Sequence, residues 1–407
     1  MIHKKLLPAY LLTFVNVLGF SILMPVLPFI VEDYGAQEWV YGLFMTLYSA
    51  FQFFGAPYLG AMSDSRGRKP VLIISQAGTL LSWIVFIIAL TLPNVSIWGL
   101  SIPLLIIGVS RIFDGLTGGN TSVAFAYVSD ITSREEKIYI FSYLGGISAI
   151  GMIVGPGLGG IAASGSLGSM GAIILAAGIS VITLITLFFW IKESHPEEKR
   201  RPRERKPIIY NIFILRRIRE IQPKPIIKLI FILKLLVSMM MAFYLSTIAL
   251  FLIDLFEFTK VQLGQFMLVV GVFLFFNQVV ISKWVIRKIG AGKTLILGLI
   301  FSTFGLFFIT LTDNIYAYIA FYYIMNLGIS LCFPTINSLI SIHADPQKQG
   351  EIMGISESLN SLALAIFPVL GATLYMYYGS HIYWAIAALP FIGLIVGLTN
   401  RKVFQEA

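Results

Sequence analysis

The sequence predicts an all-α integral membrane protein with twelve transmembrane helices arranged as two six-helix halves. Three observations carry this. Of 407 residues, 57% are hydrophobic and only 12% charged, with a mean hydropathy of +0.86; soluble domains carry about 25% charged residues. Apolar runs near the length a bilayer requires, about 20 residues, recur twelve times. Lysine and arginine gather on one side of those runs.

The N-terminus "MIHKKLLPAYLLTF", which leads into the first run, 6–31, imitates a secretory signal. It continues to about Val31 without a small-x-small cleavage site, so it reads as a retained first span. Runs two and three, 40–62 and 71–92, are parted by the polar turn "SDSRGRKP". Run four, 97–128, is apolar except for "RIFDG"; run five, 138–163, is punctuated by glycines; run six is 168–191. Six further runs follow at 226–252, 262–282, 293–312, 316–341, 350–376 and 380–400. The division is therefore an N-terminal bundle over 1–191, a cytoplasmic linker over 192–224 and a C-terminal bundle over 225–407. Within the linker, "IIYNIFILRRIRE" has the spacing of an amphipathic helix lying on the membrane surface. "DSRGRKPVLII" after span two is weakly repeated as "VIRKIGAGKTLIL" after span eight. Related halves of six helices are a transporter plan, with the binding site at the midplane between them.

Sidedness follows from the basic residues. With the N-terminus in the cytoplasm, 25 of the 29 lysines and arginines fall on that side and only Lys260 on the other. Arg111, Lys228 and Lys234 lie within spans. Both termini are thus expected in the cytoplasm of a multi-pass protein. The net charge of +9 is mostly topology, with attraction to anionic lipid, which argues against nucleic acid as a partner. A lone cysteine, Cys332, excludes an internal disulfide.

"GAMSDSRGRKPVL" places Gly60, Asp64, Gly67, Arg68 and Lys69 at the end of span two. Gly67 permits a tight turn, Asp64 and Arg68 can pair across it, and Asp130 at the end of span four offers Arg68 a second carboxylate. A positive-inside loop explains the basic residues but not Asp64 at this spacing. In span five, "GMIVGPGLGG" sets Gly151, Gly155, Pro156, Gly159 and Gly160 in mid-membrane. Small residues four apart let helices touch backbone to backbone, and Pro156 removes a helix hydrogen bond.

These motifs, with the R-x-x-x-G-x-x-x-G of Arg111, Gly115 and Gly119 in span four, resemble three signatures of the major facilitator superfamily. The third is similar to that of its twelve-span drug:proton antiporter branch. "RIFDG" through "AYVSDITSREEK", and "LMPVLPFI" in span one, look most like bacterial tetracycline-type exporters. The plan covers nearly the whole chain, whereas the specific motifs lie within residues 16–160. The resemblance implies a rocker-switch carrier latched on its cytoplasmic side by Asp64, Arg68 and Asp130. Spans one, four, seven and ten would line the cavity, and the span-five motif would belong to an exporter's interface. It breaks at two points: tetracycline exporters carry membrane aspartates where this chain has Asn16 and, in span three, near Ser82. That weakens tetracycline as the expected substrate.

Among the 20 acidic residues, Asp114 and Glu357 sit well inside spans. Arg111 lies one turn before Asp114 on the same face, which Gly115, Gly118 and Ser122 leave narrow and polar. An ionisable group at mid-bilayer costs at least about 2.5–3.5 kcal/mol and usually faces a cavity. One reading is a neutralised pair pinning two helices; the other makes Asp114 a proton site, replacing the one lost at Asn16, with Arg111 as its modulator. Glu357 is expected to join the latch or titrate alone. Lys234, about two turns into span seven, is expected to snorkel to the cytoplasm. Tyr322 and Asn326 of "FYYIMN" share a face, as packing or as a surface for a cation or flat ring.

The expectation is a proton-coupled antiporter that exports a lipophilic or amphiphilic small molecule across a bacterial inner membrane, as a monomer and without a cofactor beyond the coupling protons. An exporter of an endogenous metabolite uses the same machine; a non-transporting receptor or scaffold would not need these motifs. Enzyme classes are disfavoured by the lack of a P-loop, a paired-histidine metal motif and a nucleophile elbow.

Overall fold

The computed structural model describes the chain except residues 1–5, 98–99, 119, 132–133, 201–213, 313, 344–348 and 401–407. The described chain is almost entirely helical. In the first half the helices are α1 (Leu7–Leu23), α2 (Leu27–Asp33), α3 (Glu38–Arg66), α4 (Arg68–Thr91), α5 (Ile102–Gly118), α6 (Asn120–Asp130), α7 (Arg134–Ala163) and α8 (Ser169–Trp190). A short α9 (Ile214–Ile221) lies in the linker. The second half holds α10 (Pro225–Phe256), α11 (Lys260–Phe276), α12 (Lys283–Ile289), α13 (Ala291–Phe308), α14 (Ile315–His343), α15 (Gln349–Tyr378) and α16 (Ile382–Thr399). Each predicted apolar run coincides with a helix or a broken pair. Among the described residues nine helical stretches are long and apolar enough to cross a membrane, or ten counting the pair α1–α2, bent by 41°. One stretch, Ile355–Thr399, runs through both α15 and α16.

Local chemistry accounts for the breaks. Pro25 has no N–H to continue α1, and Pro28 lies in the first turn of α2, where the missing donor costs nothing. Span four begins later than its hydrophobicity suggests. Ser96–Ile97 pairs antiparallel with Leu100–Ser101, and Pro103 sets the start of α5 just beyond. Gly67 at φ 97° joins α3 to α4, and Gly290 at φ 81° joins α12 to α13. Both conformations favour glycine, and they occur at matching places in the two halves, so the sequence repeat is a structural one.

Two compact units result: residues Met1–Ile212 with Phe258–Gly271, and Phe213–Glu257 with Val272–Ala407. The segment Phe258–Gly271, which the sequence division assigns to the C-terminal bundle, groups with the first unit. The reason is close contact between α11 and α7, where Gly264 lies against Gly160 and the Pro156 carbonyl. Packing inside the units is parallel. In the first, α1 packs on α7 and α8, and α4 on α5 and α8; in the second, α10 packs on α15 and α16, and α13 on α14 and α16. Small residues bring backbones together throughout. A Cβ on Gly115 would collide with the Tyr48 carbonyl, and one on Gly55 with that of Leu116, so α3 and α5 touch along their length.

Candidate functional site

The central pair lies in α5. Arg111 Nη1 donates to Asp114 Oδ2 at 3.0 Å, one turn apart, and the side chains are only 2% and 5% exposed. The i, i+3 spacing on a helix fixes their proximity; α4 supplies the surroundings. Trp83 lies 4.7 Å and Phe86 5.1 Å from the Arg111 guanidinium, so a delocalised cation sits on two aromatic faces. Ser82 of α4 donates instead to the Thr79 carbonyl at 2.7 Å. Arg111 Nε is buried without a partner among the described residues.

The face carrying Gly115 and Gly118 is pressed onto Tyr48 and Gln52 of α3; Gln52 donates to the Gly118 carbonyl at 3.2 Å and Ser122 to the Ala56 carbonyl at 2.9 Å. What remains open beside Asp114 is a cavity of about 10 Å³, bordered by Asn16, Thr79, Trp83 and Ser180, room for about one water. Asn16 itself hydrogen-bonds Asn120. The structure thus gathers Asp114 and Asn16 around one cavity. Gly119 lies outside the described residues.

The Arg68 cluster assembles as the spacing predicts. Arg68, itself buried, donates from Nη1 to Asp64 at 2.5 Å and to Ser63 Oγ at 2.6 Å, and from Nε to Asp130 at 3.0 Å. Sequence reasoning missed its second layer. The Glu193 carboxylate accepts the backbone N–H groups of Arg68 (2.9 Å), Lys69 (3.2 Å) and His195 (2.8 Å). It caps the N-terminus of α4, where helix N–H groups lack partners and an anion is favoured. Ser194 donates to Asp130 at 3.1 Å. A charged linker was the only available signal. Gly60 faces Ser122.

The glycines of α7 divide by face. Gly151, Gly155 and Gly159 abut Phe14, Ser21 and Ile22 of α1, with no room for a Cβ at any of the three. Gly157 and Gly160 abut Leu268 and Gly264 of α11. Pro156 stands inside α7 between these contacts.

Two expectations for the second unit are corrected. Lys234 does not snorkel: its side chain is 2% exposed, pairs with Glu357 Oε1 at 3.4 Å and lies 5.0 Å from the Phe333 ring. Nine residues into α10, about 14 Å along the helix, it meets a nearer carboxylate than water. Glu357 correspondingly does not stand alone within its unit, since its carboxylate meets Lys234. Tyr322 is buried, hydrogen-bonded to Tyr244 and stacked near Tyr318, while Asn326 accepts from Asn277 at 3.3 Å. Tyr322 packs among aromatic side chains of α10 and α14.

Among known proteins, the chain is 25% identical over 409 residues to the class H tetracycline resistance protein of Pasteurella multocida, covering 97% of this chain and 95% of that one. Its backbone matches the crystal structure of the human organic anion transporter MFSD10 (TETRAN) with a TM-score of 0.72 at 20% identity, over 97% and 99% of the two chains. It matches an inward-facing, unoccupied bacterial homolog of the human lysosomal transporter Spinster with a TM-score of 0.78 at 11% identity, over 100% and 98%. The sequence profile of the Major Facilitator Superfamily fits residues 9–368, and the chain belongs to this family of multi-pass membrane transporters.

Proposed function

We propose that this chain is a proton-coupled antiporter of twelve spans, with both termini in the cytoplasm of a bacterium, that exports a lipophilic or amphiphilic small molecule across the inner membrane. The observation that carries the reading is the Arg111–Asp114 pair. Two ionisable groups 2% and 5% exposed in an otherwise apolar helix each cost at least about 2.5–3.5 kcal/mol to place there. A pin between helices needs no such charge, since Gly115 and Gly55 already hold α5 to α3. In the proposed cycle Asp114 takes a proton as substrate leaves, and Arg111 alternates between Asp114 and hydration. Burial and a neighbouring cation act in opposite senses on a carboxyl proton, so a change in their separation loads or releases it. One charge crossing with the membrane potential is worth about 2.3 kcal/mol per 100 mV.

Export as the direction is supported by similarity to a tetracycline resistance protein over nearly the whole chain. A second reading, export of an endogenous metabolite, is favoured by the resemblance itself, which implies acids in tetracycline exporters at Asn16 and near Ser82, where this chain has none. The test begins with a screen of drugs and metabolites in an efflux-deficient strain. The compound found is then followed in everted vesicles. Asp114→Asn should abolish gradient-driven flux and leave substrate binding within about threefold, because neutral asparagine keeps the shape but holds no exchangeable charge. Arg111→Ala should displace the pH optimum or trap the carrier protonated. Uphill flux with a normal pH profile in Asp114→Asn would move the proton site to Glu357 and leave the α5 pair as a staple.

A further inference from the structure

We infer that Lys234 is the anchor of an anion-binding site in the second unit, and that the carrier's substrate bears a carboxylate-like anionic head on a flat apolar body. The inference names the substrate chemistry of the carrier proposed above and rests on that reading.

The pairing of Lys234 is unequal. Its side chain is 2% exposed while that of Glu357 is 58% exposed, and the contact is 3.4 Å, beyond the usual 2.7–3.2 Å range of N–H···O bonds. An ammonium offers three donors, and burying one is costly unless an anion and further acceptors surround it. Glu357 supplies one long contact, and its side chain is far the more exposed of the two. Glu357 is therefore the partner that can move aside, whereas Lys234 is enclosed by the protein.

A better anion is one that arrives with an apolar body and excludes water from the pair. The surroundings suit such a molecule. Phe333 presents its ring to the ammonium at 5.0 Å, leaving an aromatic surface next to the charge. One turn from Lys234 on the same face of α10 is Ser238, and one turn from Phe333 on α14 is Ser330. Both hydroxyls are buried without a partner among the described residues, each a donor for a second anionic oxygen. Glu357 occupies the position the incoming carboxylate would take, so binding exchanges an internal carboxylate for the ligand's own. Displacing Glu357 from a helix-to-helix ion pair between α10 and α15 also couples occupancy to how those helices are held together.

Calorimetric titration of the purified full-length protein in detergent tests this without any gradient, so its failure is distinguishable from failure of coupled flux. The probes are biphenyl-4-carboxylate and its neutral isostere biphenyl-4-carboxamide. The carboxylate should bind roughly tenfold or more tightly than the carboxamide, and Lys234→Gln should erase that preference. Lys234→Arg should keep it, and Glu357→Gln should preserve or raise carboxylate affinity by removing the internal competitor. The reversed pair, Lys234→Glu with Glu357→Lys, separates a site from a staple and covers the case in which Lys234→Gln does not fold. It should recover the thermal stability lost in Lys234→Glu without restoring the carboxylate preference, because the cation then sits on the exposed side. Equal binding of the two probes, no binding of the carboxylate, or a reversed pair that regains both stability and preference would each overturn the assignment.

Discussion

Arg68 serves three acceptors at once, Asp64, Ser63 and Asp130, through a planar fork that a lysine ammonium does not reproduce. Charge-assisted hydrogen bonds of this kind contribute about 1.5–3 kcal/mol each when buried, and less here because Asp64 is mostly exposed. That scale is too small to decide whether the protein folds and large enough to decide between two conformations. Arg68→Ala and Asp64→Asn should therefore insert normally yet lose most of their flux, roughly tenfold or more, in everted vesicles with expression matched by immunoblot. Normal transport in both would reduce the loop to a membrane anchor. Glu193 acts on the same cluster from behind, through backbone amides. Glu193→Gln removes charge and keeps an acceptor, so a milder loss than that of Arg68→Ala is expected.

At the scale of an element, α7 is a helix with two glycine faces and a proline between them. Gly155 and Gly159 admit α1 so closely that a Cβ at either would strike Ser21 or the Ile22 backbone, while Gly160 admits Gly264 of α11. Helices in lipid gain little from hydrophobic burial against each other, so close packing of small residues is the main force available. Overpacking such a contact costs about 1–3 kcal/mol. Gly159→Val should accordingly lower the melting temperature of detergent-purified protein by several degrees, whereas Gly146→Ala, where nothing lies within reach of a new Cβ, should leave it unchanged. Equal melting temperatures for the two variants would remove the close-packing account of α7. The same logic explains the position of Phe258–Gly271 with the first unit.

Across the whole molecule, the asymmetry of lysine and arginine supports the proposed sidedness, and the Gly67 and Gly290 turns recur at matching places in the two halves. A single cysteine introduced at any position of 199–206, with Cys332 replaced, should react with an impermeant maleimide only from the cytoplasmic face. Labelling of intact cells from outside would invert the topology and with it the direction assigned to transport.

Hydropathy by itself determined that the chain is a bundle of membrane helices, because a bilayer demands about 20 apolar residues per crossing whatever the fold. Local spacing determined two sites as well. Arg111 and Asp114 are one helical turn apart, and Asp64 and Arg68 flank a single glycine turn, so their pairing needs only local geometry. The surroundings of those groups were not legible. Trp83 and Phe86 reach the α5 pair from α4, Glu193 reaches Arg68 across 125 positions, and Glu357 reaches Lys234 across 123. Lys234 shows the difference most plainly. Read along α10, a lysine two turns from the membrane surface extends toward water; only the packing of α14 and α15 against α10 places an aromatic ring and a carboxylate nearer than water. Periodicity reports what a helix turns toward lipid or core, but the partner waiting there is set by how distant segments pack, and that is decided by tertiary structure.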